Sequence, residues 1–216
     1  MQRYAKKILA VLKNTYPNAT CALVFHSPLE LMVATILSAQ CTDVRVNQIT
    51  PKLFKQFPSV YDYANVPIER LEDAIRSTGF FHSKAKNIQN SCREIIERFD
   101  AAVPDTMESL VSLPGIGRKT ANVILSNVFG KNEGVVVDTH VLRVSRRIGL
   151  SQEKTPEKIE RELMNLFPKN EWTALGHCLV FHGRQMCQAR KPKCEQCPIQ
   201  KYCNGYASMK QSEPTR

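Results

Sequence analysis

Four cysteines fall between positions 187 and 203, separated by six, two and five residues, in the stretch CQARKPKCEQCPIQKYC. Thiols so close together suggest a small lobe organised by a metal site, with four unliganded thiols as the plainer alternative. Cys187, Cys194, Cys197 and Cys203 therefore read as ligands, whereas Cys21, Cys41, Cys92 and Cys178 are scattered and read as ordinary buried thiols. A zinc site usually joins two Cys-x2-Cys halves across a longer loop, and here only one such pair is present. Four thiolates equally suit an iron-sulfur cluster, so spacing leaves both metals open. Arg190, Lys191, Pro192 and Lys193 lie between the first two ligands and form a basic loop suited to phosphates.

The rest of the chain is compatible with one or two compact domains of 216 residues. It has 43% hydrophobic residues and a formal charge of +10, a composition that argues against disordered or low-complexity sequence. The charge favours a polyanionic partner, nucleic acid or an anionic surface. The longest apolar run, Leu31 to Leu37, is far below the roughly 20 residues of a membrane span. The first residues, MQRYAKKILAVLKNTYPNA, lack a cleavage signal and read as mature sequence in a reducing cytoplasm. Only the polar end, 206–216, reads as a flexible tail.

Periodicity predicts an all-α chain. Ser27-Pro28-Leu29-Glu30 is a helix start with Ser as cap and Pro at the first helical position. Ala85, Ile88, Cys92, Ile95, Ile96 and Phe99 mark one face of a helix over 83–99. Thr155-Pro156 opens another, 170–186 forms another, and Gly79, Gly130 and Gly149 stand where helices stop. Pro51 either kinks or divides a helix over 43–56. The strand-like Val135-Val136-Val137 is too short to build a sheet.

Residues 113–125, LPGIGRKTANVIL, read as helix, tight hairpin, helix. Two glycines two apart let the backbone approach a ligand, and amides at a helix start favour an anion. The same pattern also suits a plain interhelical turn. Lys119, just after Arg118, is a phosphate-binding cation or a nucleophilic amine. An ordinary lysine is neutral in only about one molecule in 2,500 at pH 7, so a nucleophile needs a helix N-terminus, a neighbouring cation or partial burial to disfavour its ammonium form. Asp138, opening DTHVLRVSRRIGL, fits the N-cap of a helix running to about Ile148.

LPGIGRKTANVIL, VVVDTHVLRV, SAQCTDVRVN and the four-cysteine loop occur in this order and together resemble the endonuclease III family of helix-hairpin-helix DNA glycosylases. The resemblance runs from near Arg3 to about Asn204. It implies a helix-hairpin-helix glycosylase fold: a six-helix barrel domain over 21–131, with the hairpin unit at about 105–129, and an iron-sulfur domain formed by 1–20 with 132–205. It implies a [4Fe-4S] cluster on the four cysteines and damaged double-stranded DNA as partner; from the sequence itself, the short apolar runs point to no membrane, the lack of a coiled-coil seam to a monomer, and the reducing setting to a cytoplasmic location, nucleoid-associated in a prokaryote. The implied activity is removal of oxidised pyrimidines such as thymine glycol, followed by strand cleavage 3′ to the abasic site. Mismatched-thymine or pyrimidine-dimer removal, and a non-catalytic iron-sulfur DNA-binding protein, are the alternatives.

Residue by residue, the resemblance makes Lys119 the nucleophile and Asp138 the essential carboxylate. In the related mismatch glycosylases the lysine position is usually not lysine, so Lys119 favours a bifunctional enzyme. Gly115 and Gly117, with Arg118 and Thr120, would hold a phosphate. Gln40 matches the residue that fills the hole left by the extruded nucleotide, although a polar residue at a helix end is its plainer reading. Phe80 stands where the family commonly inserts a leucine, and it reads equally as wedge or core. Arg143, Arg190, Lys191 and Lys193 would add to the DNA face.

Overall fold

A computed structural model describes residues 2–211; Met1 and residues 212–216 lie outside the described residues. The described residues contain no strand and twelve α-helices. In chain order these are α1 (Gln2–Thr15), α2 (Pro28–Leu37), α3 (Asp43–Gln56), α4 (Val60–Asn65), α5 (Ile68–Ile75) and α6 (Phe81–Arg98). They continue as α7 (Met107–Ser112), α8 (Arg118–Val128), α9 (Thr139–Ile148), α10 (Pro156–Leu166), α11 (Trp172–Gln185) and α12 (Asn204–Gln211). The helices belong to two compact units, one of residues 21–131 and one of residues 1–20 with 132–216.

The 21–131 unit is built round α2. Leu31, Met32, Val33, Ala34, Ile36 and Leu37 are all buried, so this helix is apolar on nearly every side and takes a central place. Ser27 caps it by accepting from the Glu30 amide, while the Glu30 carboxylate turns back to the His26 amide. α6 packs against α4 and α5 and buries Ala85, Ile88, Cys92 and Ile95, the face predicted by periodicity. Full burial of each large aliphatic side chain is worth about 1.5–3 kcal/mol. α6 starts at Phe81, two residues earlier than the pattern predicts, because Phe80 takes a left-handed conformation that ends the preceding turn. Pro51 neither divides nor ends α3, and its exposed ring is accommodated within one helix.

In the other unit, α11 packs against α1 and α9 round Ile8, Leu12, Val141, Val144, Leu175 and Leu179. Val135 and Val137 are buried in this core and belong to no strand. Gly149 ends α9 at φ 89°, where a side chain would be strained. The expected tail meets a correction over 206–211, which are helical in α12. Gly205 lies so close to the Arg147 backbone that a Cβ would meet its carbonyl oxygen at 2.7 Å, and the Tyr206 hydroxyl donates to Glu195 at 3.1 Å. The remainder of the expected tail, 212–216, lies outside the described residues.

Candidate active site and metal centre

The hairpin of the 21–131 unit is held from beneath and open above. Leu113 and Ile116 are buried on either side of the turn, and the Ile116 amide donates to the Leu113 carbonyl at 3.2 Å. The buried Ser91 hydroxyl donates to the Pro114 carbonyl at 2.8 Å. Gly115 lies at φ 77°, and a Cβ there would meet Asn87 Nδ2 at 2.7 Å. Gly115→Ala should therefore destabilise the unit by about 2 kcal/mol or more, combining left-handed strain with a clash. Gly117→Ala meets nothing within 4 Å and should cost about 1 kcal/mol or less. Urea denaturation midpoints of the two variants check this difference.

Gly117 is extended and caps α8 without a side-chain hydrogen bond, and no acidic residue stands in the first turn. Arg118 and Lys119 occupy that turn instead, so cations and outward-facing amides meet at one helix start. Lys119 is exposed, so of the three ways to disfavour its ammonium form it has the helix start and Arg118, not burial, and Thr120 is half-buried. The arrangement suits an anion held by main chain with a primary amine beside it.

Asp138 belongs to the other unit and starts α9. Its Oδ1 accepts from the amides of His140 and Val141, both at 2.8 Å, which makes it the helix cap that the sequence predicts. Both of these cap bonds fall on Oδ1. One carboxylate can thus serve the helix with one oxygen and chemistry with the other.

Gln40 and Phe80 are both exposed and both left-handed, at φ 52° and 49°. Phe80 is 65% exposed, which settles against a core role for its side chain.

All four clustered cysteines line a single small cavity, with Arg147 and His182 also in its wall. No group of three His, Cys, Asp or Glu among the described residues is arranged to hold a metal ion. Four thiols set round one cavity suit a polynuclear cluster, whose corners bind separate thiolates. Burial pushes the Cys197 thiol up to about 11 and raises Cys203 as well, so a positive core is needed to draw these thiols into their ionised form.

Arg147 Nη1 donates to the Gln188 carbonyl at 2.8 Å and reaches the Cys187 sulfur at 3.4 Å, fixing Cys187 and the loop after it. Burial lowers the pKa of His182 to about 4, so its ring is neutral. The Tyr16 hydroxyl lies 3.0 Å from its Nδ1, while its Nε2 faces the Cys197 sulfur at 3.7 Å. With Tyr16 donating to Nδ1, Nε2 carries the proton and points it at the ligand sulfur.

The residue matches rest on the same segments as the geometry. Residues 33–169 match the family profile described as HhH-GPD superfamily base excision DNA repair protein. Residues 187–203, from first to last clustered cysteine, match the iron-sulfur binding domain of endonuclease III. An endonuclease III of Synechocystis sp. is 51% identical over 199 residues, covering 92% of this chain and 91% of its own. The chain belongs to the endonuclease III family.

A Bacillus subtilis endonuclease III is 46% identical, covering 88% of this chain and 87% of its own. Among solved structures, one described as a non-covalent endonuclease III–DNA complex has a TM-score of 0.92 at 39% identity, covering 98% of this chain and 99% of that one. Another, described as a trapped endonuclease III–DNA covalent intermediate, has a TM-score of 0.91 at 40% identity, covering 97% and 99%. The all-helical fold is that of the endonuclease III family, and an iron-sulfur cluster is its cofactor.

Within this endonuclease III fold, Arg190, Lys191 and Lys193 are exposed on the cluster loop, as a phosphate-facing role requires. Arg143 is corrected. Its guanidinium donates to the carbonyls of Gly183 at 2.9 Å and Cys187 at 3.2 Å and lies 3.1 Å from His140 Nδ1, so it braces α9 against the end of α11 instead of facing outward for DNA. Tyr16, Arg147 and His182 were not singled out as cluster neighbours by sequence reasoning. One signal was present: His182 continues the buried stripe of Leu175, Cys178 and Leu179, a helical spacing that places it inward five residues before the first ligand.

Proposed function

We propose that this chain is a bifunctional DNA glycosylase and abasic-site lyase of base excision repair, acting on oxidised pyrimidines such as thymine glycol in duplex DNA. The observation that carries the reading is Lys119, a primary amine in the first turn of a helix with no capping side chain, next to an open Gly-x-Gly hairpin. Membership of a family with a DNA-bound covalent relative supports the same assignment.

Each step follows from elementary chemistry. Amides at the start of α8, with Arg118 and Thr120, hold a phosphate, and open space above Gly117 lets it come close. Phe80 and Gln40 enter the duplex as the damaged nucleotide leaves it, since an apolar side chain unstacks base steps and damaged bases are cheaper to extrude. The neutral Lys119 amine attacks C1′, and the base departs with the electron pair of the glycosidic bond. The nitrogen then loses a proton, and its lone pair expels O4′ from C1′; O4′ takes up a proton as the ring opens, leaving an iminium. Loss of a C2′ proton breaks the C3′–O3′ bond, and the phosphate leaves with that electron pair. Asp138 stabilises positive charge developing on the sugar and assists proton transfers at the amine. Cys187, Cys194, Cys197 and Cys203 would hold the iron-sulfur cluster, which would supply a rigid support for the basic loop of Arg190, Lys191 and Lys193 that grips the backbone.

We place the enzyme in the cytoplasm, on DNA, as a monomer. No helix among the described residues is long and apolar enough to cross a membrane. Borohydride reduction with an abasic-site duplex tests the reading: the wild type should form a covalent adduct, and none would remove the lyase assignment.

Asp138 offers a way to separate its two roles. Asp138→Asn keeps a capping oxygen and should change stability by only a few tenths of a kcal/mol, whereas Asp138→Ala should lose about 1 kcal/mol. Both should slow thymine glycol release by about 100-fold or more, because both remove the charge. Thermal melts and single-turnover rates measured together would show whether activity follows charge or stability.

A further inference from the structure

Lys84 stands in the first turn of α6 and is only 4% exposed, an unfavourable place for an ammonium unless its protons are used. Its Nζ donates to two main-chain carbonyls, those of Leu37 and Thr78, each at 2.8 Å. Leu37 ends α2, and Gln40 follows three residues later. Thr78 ends the 3-10 turn Arg76–Thr78, and Phe80 follows two residues later. The two turns that Lys84 joins are therefore those carrying the exposed, left-handed Gln40 and Phe80. Left-handed non-glycine residues are strained and persist only where their surroundings over-determine them.

The same stripe of α6 also holds the hairpin. Asn87, three residues after Lys84, packs against Gly115, and Ser91, four residues further, donates to the Pro114 carbonyl at 2.8 Å. We propose that Lys84 is a positioning residue that locks the Gln40 and Phe80 turns into one two-pronged wedge at a fixed offset from the hairpin. It does so without touching DNA. The inference rests on the reading above that Gln40 and Phe80 enter the duplex. An ammonium is suited to the task because its separate N–H groups can serve two carbonyls from different segments at once, and hydrogen bonds from a charged donor are the stronger kind.

The test is Lys84→Met in the full-length, cluster-containing protein, assayed by borohydride trapping on two substrates: an abasic site in a duplex and the same abasic site in a single strand. A wedge is needed only where a sugar must be turned out of a stack. The variant should keep its single-strand rate within about twofold and lose about tenfold or more on the duplex, the scale expected when reacting groups are misplaced by about an ångström. In a Gln40→Ala/Phe80→Ala background, Lys84→Met should have no further effect on the duplex rate. Equal loss on both substrates, an undiminished duplex rate, or full additivity would overturn the proposal. If Lys84→Met does not fold, Lys84→Gln, which keeps a donor for one carbonyl, must show the same selective duplex loss in smaller degree. Failure of the wild type to trap on either strand would instead count against the lyase reading.

Discussion

Lys119→Gln should abolish borohydride trapping while leaving duplex binding within about fivefold of wild type, because one exposed cation among several phosphate contacts carries a small part of the affinity. The argument turns on position. Lys119 lies at the exposed start of α8, beyond the buried Leu113 and Ile116 that secure the hairpin, so its side chain supports no part of the core. Glutamine keeps a similar length and helix propensity but has no amine lone pair with which to form an iminium. Strand cleavage should fall by about a thousandfold or more, the scale seen when an acting nucleophile is removed. A variant that binds abasic DNA normally and still becomes covalently attached would assign the nucleophile elsewhere.

Removal of the iron-sulfur cluster should produce the second large effect, a loss of several kcal/mol from the unit of residues 1–20 and 132–216. The loop from Cys187 to Cys203 contains only two three-residue 3-10 turns, Cys194–Gln196 and Gln200–Tyr202, and such turns have little stability alone. Its apolar anchors are few, with Ile199 fully buried and Cys187 at 7% exposure. The cluster accordingly acts as the core of this segment. Cys197→Ser protein with diminished iron should melt at lower temperature and bind DNA more weakly. By comparison, Arg190→Ala/Lys191→Ala/Lys193→Ala should retain iron and melting temperature, yet lower the slope of log affinity against log salt by about 2 to 3. Equal salt slopes for wild type and the triple variant would take the loop off the DNA face.

The two experiments separate chemistry from grip, and the fold explains why they can. The amine proposed as nucleophile sits on a hairpin whose shape is fixed by Ser91, Asn87 and two buried aliphatic residues. The basic loop is held by Arg147 and would be held further by the four cysteines once they carry the cluster. Each functional group is thus exposed on a segment whose own backbone is held by something buried.

What the sequence determined by itself was whatever depends on neighbours within a turn or two. The Ser27 cap, the buried face of α6, the Asp138 cap and the thiol spacing from 187 to 203 were all legible, since the partners lie close along the chain. The four motifs also disclosed the family, because their joint order is specific even where each alone is not. Tertiary structure alone decided the roles that depend on distant segments. Lys84 meets Leu37 across 47 positions, Arg147 meets Gln188 across 41, and Tyr16 meets His182 across 166. Periodicity says which face of a helix is buried, but not which carbonyl or sulfur waits there. For the same reason Arg143 read as a DNA contact from its charge, and Phe80 read equally as core or wedge. Only the packed chain places one guanidinium on two internal carbonyls and leaves the phenyl ring exposed.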